Sequence, residues 1–156
     1  MRAIVLALSC LALIAAFTVI VRASDDIVRL PVEEVIVTTE TGDITFSTEL
    51  ATDEASRSRG LMFRRELAEK DAMLFYWQTP QVASMWMRNT YIPLDMLFVQ
   101  ADGTILHIAT DTVPHSLEVV SADRLVSAVM EINAGLTKRF NIKPGSRLIH
   151  RFFNRS

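Results

Sequence analysis

The sequence predicts an α+β fold: one mostly antiparallel β-rich domain, a curled sheet or partly open barrel, with two short helices. Stretches in which apolar and polar residues alternate outnumber helical stretches, and several of them are separated by connections of hairpin length. The 156 residues suffice for one domain, and a composition that is 50% hydrophobic and 22% charged excludes a disordered chain.

The first strands and turns can be placed from the residue pattern. Val35 and Val37 alternate with polar residues, residues 41–43 mark a turn, and the alternation resumes over 44–50, which together predict a hairpin. A second hairpin is predicted at Asp102-Gly103, because Asp and Gly tolerate the positive φ of a tight turn. Further strands are predicted over 73–77, 82–88, 95–100, 104–110, 125–132 and 147–152.

Two short helices are predicted between the strands. Thr52 is the predicted N-cap of a helix over 53–60, which ends at Gly60. The second helix is predicted directly after Gly135.

The N-terminal residues differ in character from the rest. Met1-Arg2 supplies a positive charge, residues 3–21 carry none, and the small residue Ala23 follows. This order predicts a signal peptide over residues 1–23. Because the uncharged run approaches the length of a membrane-spanning helix, an uncleaved N-terminal anchor is the alternative. In both cases we expect a periplasmic or secreted protein, and it would contact the membrane through residues 3–21 only if this segment is not cleaved.

Cleavage would leave a flexible lead-in over residues 24–33 and a domain over residues 34–153. The single cysteine, Cys10, lies in the predicted signal peptide, so the mature chain would form no disulfide, cysteine–zinc site or thiol nucleophile. The formal net charge of -2 and the lack of a long basic run argue against a nucleic-acid partner.

Residues 85–95 form the least regular polar segment of the chain. Asn89 and Thr90 follow large apolar residues, and Asp95 opens an apolar strand. In a structural interpretation, Asn89 and Thr90 bond the loop backbone and Asp95 pairs with an arginine. In a functional interpretation, the three side chains line a polar pocket walled by Trp86, because binding groups often lie on loops held by a rigid scaffold.

Glu131 is a second acid inside an apolar strand. It either faces solvent or caps the helix that follows, or it converges with Asp95. Two neighbouring carboxylates shift each other's pKa values apart, which suits acid–base chemistry.

Four arginines lie within residues 57–65. They either pair with the acids of residues 53–66 or bind an anionic group of a ligand, since a guanidinium matches such groups with two parallel hydrogen bonds. Arg64 is the strongest candidate for the second role.

Three segments, 59–64 (Arg-Gly-Leu-Met-Phe-Arg), 85–95 (Met-Trp-Met-Arg-Asn-Thr-Tyr-Ile-Pro-Leu-Asp) and 130–135 (Met-Glu-Ile-Asn-Ala-Gly), resemble the signature stretches of the domain-of-unknown-function 192 family, DUF192. The resemblance covers about residues 34–152 and implies a small β-rich α+β domain, but no activity. It also implies that the matching residues form a shared surface, with Pro93 and Gly135 acting through backbone geometry. Those with reactive or polar side chains are Arg64, Asn89, Thr90, Asp95 and Glu131.

We therefore predict an exported binding or accessory module rather than an enzyme. Its partner would be a small polar molecule, a glycan, a peptide or another protein. No cofactor is expected, because no phosphate-cradling loop or dinucleotide fingerprint is present. The predicted ligand-binding residues are Arg64, Trp86, Asn89, Thr90, Asp95 and Glu131.

Two other functions fit particular residues. Met85 and Met87 share one face of a predicted strand, and with His107 they could hold Cu(I), which thioethers favour. Packing in the core is the alternative role of the two methionines. The second of these functions is an acid–base hydrolase that acts on an envelope glycan through Asp95 and Glu131.

Overall fold

The computed structural model describes residues 30–153. The elements in this range are β1 (Val32–Thr39), β2 (Gly42–Ala51), α1 (Glu54–Arg59), β3 (Asp71–Met85), β4 (Leu94–Val99), β5 (Ile105–Ala109), β6 (Val120–Asn133), α2 (Leu136–Arg139) and β7 (Arg147–Ile149). The strands form one sheet in the order β5-β4-β6-β3-β2-β1-β7, in which only β2 and β3 pair in parallel. The predicted fold class is confirmed.

The predicted signal peptide and residues 24–29 of the predicted lead-in lie outside the described residues. The rest of that lead-in is more ordered than predicted, because Val32 and Glu33 already belong to β1 and pair with β2. No helix within residues 30–153 is both long enough and apolar enough to cross a membrane.

The hairpin of β1 and β2 forms as predicted. Val35 pairs with Phe46, Val37 pairs with Ile44, and all four side chains are buried. Paired residues of neighbouring strands share a face of the sheet, so the alternation in the sequence becomes one buried face.

The sheet curls until the two ends of the strand order meet. β7 pairs with β1, and Thr104, just before β5, forms a bridge with Arg147 in β7. Gly103 allows this close approach: its φ is +87°, and a Cβ atom there would lie 2.5 Å from the carbonyl oxygen of Leu148. The Leu148 N–H donates to the Gly103 carbonyl at 2.8 Å, which fixes the seam.

Each face of the sheet has its own buried core, because alternate residues of β4 and β6 point to opposite faces. The inner core fills the curl and includes Phe46, Leu97, Met130, Ile132 and Leu148. The outer core lies beneath α1 and the segment that follows it, and it includes Leu61, Met73, Phe75, Met85, Met87, Met96 and Phe98.

β3 is one long strand, whereas the sequence predicts two strands separated at Thr79-Pro80. Pro80 is tolerated because it lies where the pairing between β3 and β6 shifts register, between Tyr76 and Gln81, so no ladder hydrogen bond from it is required. Residues 86–88, predicted as part of a strand, belong to the loop after β3.

Candidate functional site

A narrow cleft of about 60 Å³ separates the segment 57–62 from the outer face of the sheet. Glu131 on β6 lies in its lining, together with side chains from β3 and from the loop that follows β3. The lining residues are Arg57, Ser58, Arg59, Gly60, Leu61, Met62, Phe75, Ser84, Met85, Trp86, Thr90 and Glu131.

Glu131 is the most unusual group in this cleft. It lies between Met73 of β3 and Met96 of β4 on the outer face, and only 4% of the residue is exposed. Burial among these apolar neighbours raises the pKa of Glu131 to about 8. Within residues 30–153 no ion pair or side-chain hydrogen bond reaches its carboxyl group, whose oxygens retain contact with the cleft. The group is therefore a neutral acid at pH 7, able to donate and accept hydrogen bonds.

The segment 57–62 is positioned by α1 and its two ends. Asp53 is the N-cap, one residue later than predicted, and forms a capping box with Ser56. The helix ends at Gly60, as predicted, with φ +48°. A Cβ atom at Gly60 would lie 3.0 Å from Cζ of Phe75, so only glycine lets this turn approach the sheet so closely.

Two arginines of this segment, Arg57 and Arg59, line the cleft. Nη1 of Arg57 donates to the carbonyl oxygens of Thr52 at 2.6 Å and Tyr76 at 3.0 Å. The guanidinium of Arg59 lies 4.6 Å from the ring centroid of Phe63. Neither arginine forms an ion pair among the described residues.

The cleft opens into a wider outer part of about 280 Å³. Trp77 and Trp86 lie in its walls, and Trp86 is 48% exposed. Glu54 stands at this outer part as an acidic group. The two parts share Arg57, Ser58, Phe75, Ser84, Met85 and Trp86.

The loop after β3 contributes one predicted ligand contact and one backbone feature. Thr90 lines the cleft, and it is buried. Asn89 does not line it. Its φ is +55°, and its carbonyl oxygen accepts the N–H of Phe63 at 2.8 Å, so Asn89 ties this loop to the segment after α1.

Asp95 is separated from the cleft by the sheet itself. It pairs with Ile132 of the inner core, whereas Glu131 pairs with Met96 of the outer core. The two carboxyl groups therefore lie on opposite faces and do not converge, so the predicted acid–base pair is not formed.

Among residues 30–153 Asp95 also has no arginine partner. Its Oδ2 accepts the Thr137 hydroxyl at 2.6 Å and the Thr137 N–H at 3.1 Å, and its Oδ1 accepts the Asp111 N–H at 3.0 Å. These bonds join β4 to the start of α2 and to the end of β5. Asp95 is thus a structural carboxylate.

Arg64 is likewise committed to the fold rather than to the cleft. It forms two parallel hydrogen bonds with Glu49 of β2, at 2.5 and 2.6 Å, and each side chain is 13% exposed. Of the four arginines within residues 57–65, Arg57 and Arg59 are the two that line the cleft.

The residues of the predicted Cu(I) site are not brought together. Met85 and Met87 are packed in the outer core, and Sδ of Met87 accepts the Thr112 hydroxyl at 3.1 Å. His107 lies on β5, three strands from β3 in the sheet order, which corresponds to about 14 Å. Within residues 30–153 no group of three or more His, Cys, Asp or Glu side chains could hold a metal ion.

The structure thus unites three of the six predicted ligand-binding residues, Trp86, Thr90 and Glu131. Sequence reasoning missed the positions of Ser58, Phe75 and Ser84. The basic residues just before Gly60 could have indicated Arg57 and Arg59. The end of a helix that packs on a sheet places its last side chains next to that sheet. Ser84 gives no such signal in the sequence.

Comparisons with known proteins agree with this fold. A crystal structure from Sinorhizobium meliloti 1021, described as a proposed transcription regulator, is 42% identical; it covers 78% of this chain and 95% of its own, with a TM-score of 0.76. A protein of unknown function from Novosphingobium aromaticivorans DSM 12444 is 40% identical; it covers 80% of this chain and 89% of its own, with a TM-score of 0.78. No curated protein gives a significant match. The profile of DUF192, described as "Uncharacterized ACR", matches residues 35–150, and this chain therefore belongs to the DUF192 family.

Proposed function

We propose that this protein is an exported binding module whose ligand seat is the cleft between the segment 57–62 and the outer face of the sheet. The observation that supports the proposal best is Glu131, which is 4% exposed and whose carboxyl group has no hydrogen-bond partner among residues 30–153 but lines a cleft that reaches solvent. Because its oxygens retain contact with the cleft, a ligand bound there would reach them.

The surroundings of Glu131 fit ligand binding. Apolar walls with a few converging polar groups are typical of small-molecule sites, and here the walls are Phe75 and Met85 while the polar groups include Ser58 and Thr90. The proposed ligand site is this cleft rather than the predicted pocket centred on residues 89–95. Of those residues, only Thr90 lines the cleft.

A ligand screen with a blocked cleft tests this proposal. The full-length chain would be expressed in a bacterial host, purified and screened by thermal shift against sugars, amino acids, short peptides and small organic acids, amides and amines. A ligand at about 100 times its dissociation constant adds about 2.7 kcal/mol of stability, which moves the midpoint by several degrees. We expect Ser84→Leu, which fills the cleft, to abolish the shift.

Ser47→Leu is the matched control, because Ser47 is also an exposed serine in a strand but lies outside the cleft. A shift that persists in Ser84→Leu would place the ligand elsewhere, and a panel without any response would overturn the small-molecule site. The intact mass of the purified chain tests export: loss of residues 1–23 supports it, and a full-length mass supports an anchor or no processing.

A further inference from the structure

We infer that the cleft selects a ligand with a carboxylate at one end and an apolar or aromatic body at the other, an inference that rests on the proposed function. The carboxylate would occupy the inner part beside Arg59 and Glu131. The body would occupy the outer part between the tryptophans.

The charges around the inner part favour an anion. Arg57 and Arg59 have no carboxylate partner among residues 30–153, and Glu131 is the single acid in the inner lining. The other acid near the cleft, Glu54, is at the outer part. A cationic ligand group would meet two guanidinium groups and is disfavoured by their repulsion.

Glu131 completes the anion site when it is protonated. Because burial holds the pKa of Glu131 at about 8, its O–H donates a hydrogen bond at neutral pH instead of repelling a carboxylate. Ser58 lies in the same lining and its hydroxyl is a further donor, whereas the Thr90 hydroxyl donates to the carbonyl oxygen of Arg88 at 3.3 Å.

The dimensions separate the two ends of the ligand. The inner part, about 60 Å³, has room for about four water-sized groups, enough for a carboxylate and the carbon that bears it. The outer part, about 280 Å³, has Phe75, Met85, Trp77 and Trp86 in its walls and suits an apolar or planar body. A bare inorganic anion would leave these walls unused.

The two tryptophans make the test selective. Trp77 and Trp86 are the only tryptophans of the sequence and both line the outer part, so intrinsic fluorescence reports on this site. The full-length purified protein would be titrated with 3-phenylpropanoate, 3-phenylpropanamide, 3-phenylpropylamine and inorganic phosphate. We expect the acid to bind at least about tenfold more tightly than the other three near pH 6.5.

Variants assign the contacts. Arg59→Met should weaken binding of 3-phenylpropanoate by about tenfold or more, whereas Arg65→Met, an exposed arginine outside the cleft, should not. Raising the pH to about 9.5 should weaken binding to the wild type, because Glu131 ionises. Glu131→Gln retains a neutral donor and should bind equally well at both pH values.

Tighter binding of the amine, or of phosphate, would overturn the carboxylate assignment, as would equal effects of Arg59→Met and Arg65→Met. Equal binding of the acid, the amide and the amine would also overturn it while leaving the binding module intact. If none of the four probes binds, the assignment is again wrong, and the Ser84→Leu screen decides separately whether the cleft binds any other compound.

Discussion

Asp95 and Glu131 belong to neighbouring strands, yet they lie on opposite faces of the sheet and differ in their hydrogen bonds. On the inner face, Asp95 is fully buried and accepts three hydrogen bonds. On the outer face, Glu131 is almost as buried and none reaches its carboxyl group from residues 30–153. Burial alone therefore does not mark a functional acid. An acid whose bonds are all made serves the fold, whereas one left without bonds beside a cleft is available to a ligand.

The largest expected effect comes from removing the inner acid. Asp95→Ala would leave the Thr137 N–H and hydroxyl and the Asp111 N–H without an acceptor, so we expect a loss of about 5 kcal/mol in the free energy of unfolding. Urea titration measures it. Asp95→Asn keeps one carbonyl acceptor and should lose less. An unchanged stability combined with lost ligand binding would reverse the roles of the two faces.

Glu131 should affect stability in the opposite direction: the ionised Asp95 stabilises the fold, whereas ionisation of Glu131 should destabilise it. The folded-state pKa of Glu131 is about 8 and its ordinary value is 4.5, so the folded state holds its proton to higher pH than the unfolded state. The stability that this group contributes is therefore complete below about pH 4.5 and is lost as the pH rises to about 8, by about 4 kcal/mol between pH 5 and pH 9. Glu131→Gln should abolish this fall.

Urea titrations of the wild type and of Glu131→Gln near pH 5 and pH 9 give the free energy of unfolding at each pH. The change between the two pH values is then compared for the two proteins. Parallel pH dependence in the two proteins would mean that Glu131 is not neutral in the folded state.

The ion pair of Arg64 and Glu49 should stabilise the fold without affecting ligand binding, as Asp95 does. The sequence, by contrast, predicts Arg64 as a ligand-binding residue. Removing either partner should cost about 1–2 kcal/mol, because the pair is bidentate and largely buried. A double-mutant cycle with Arg64→Met and Glu49→Gln should give a coupling of about 1 kcal/mol without a change in ligand binding. A loss of ligand binding in Arg64→Met would return this residue to the site.

The smallest effect on stability is expected at the opening of the cleft. Trp86→Ala removes a side chain that is 48% exposed, so stability should change by less than about 1 kcal/mol, while binding of an aromatic ligand weakens. Leu117→Ala, at a residue that is 70% exposed and outside the cleft, is the control. Equal binding by both variants would exclude Trp86 as a wall of the site.

The sequence predicts most of the fold because its patterns are local. The alternation in β1 and β2, the turn at Asp102-Gly103 and the end of α1 at Gly60 each depend on a few adjacent residues. The continuity of β3 through Pro80 could not be predicted, since it depends on where β6 shifts its register.

The candidate site is less predictable for a related reason. Asp95 and Glu131 look alike in the sequence, as acids within apolar strands, and only the register of β4 and β6 assigns them to opposite faces. In the same way, no local sequence pattern shows that Glu49 pairs with Arg64, or that Arg57 and Arg59 line the cleft. The predictions of export, the bound partner and the lack of a cofactor remain predictions.

The seam at Gly103 has a consequence for the order in which the chain can fold. β7 is the last strand within residues 30–153, yet it joins β1, the first in that range, to the turn before β5. Until residues 147–149 have left the ribosome, the edge of β1 has no strand to pair with, and an open strand edge can pair with other chains. Contacts so distant along the chain also form slowly. Closure of the sheet therefore comes late in folding, and a chain that ends before residue 147 should aggregate rather than fold.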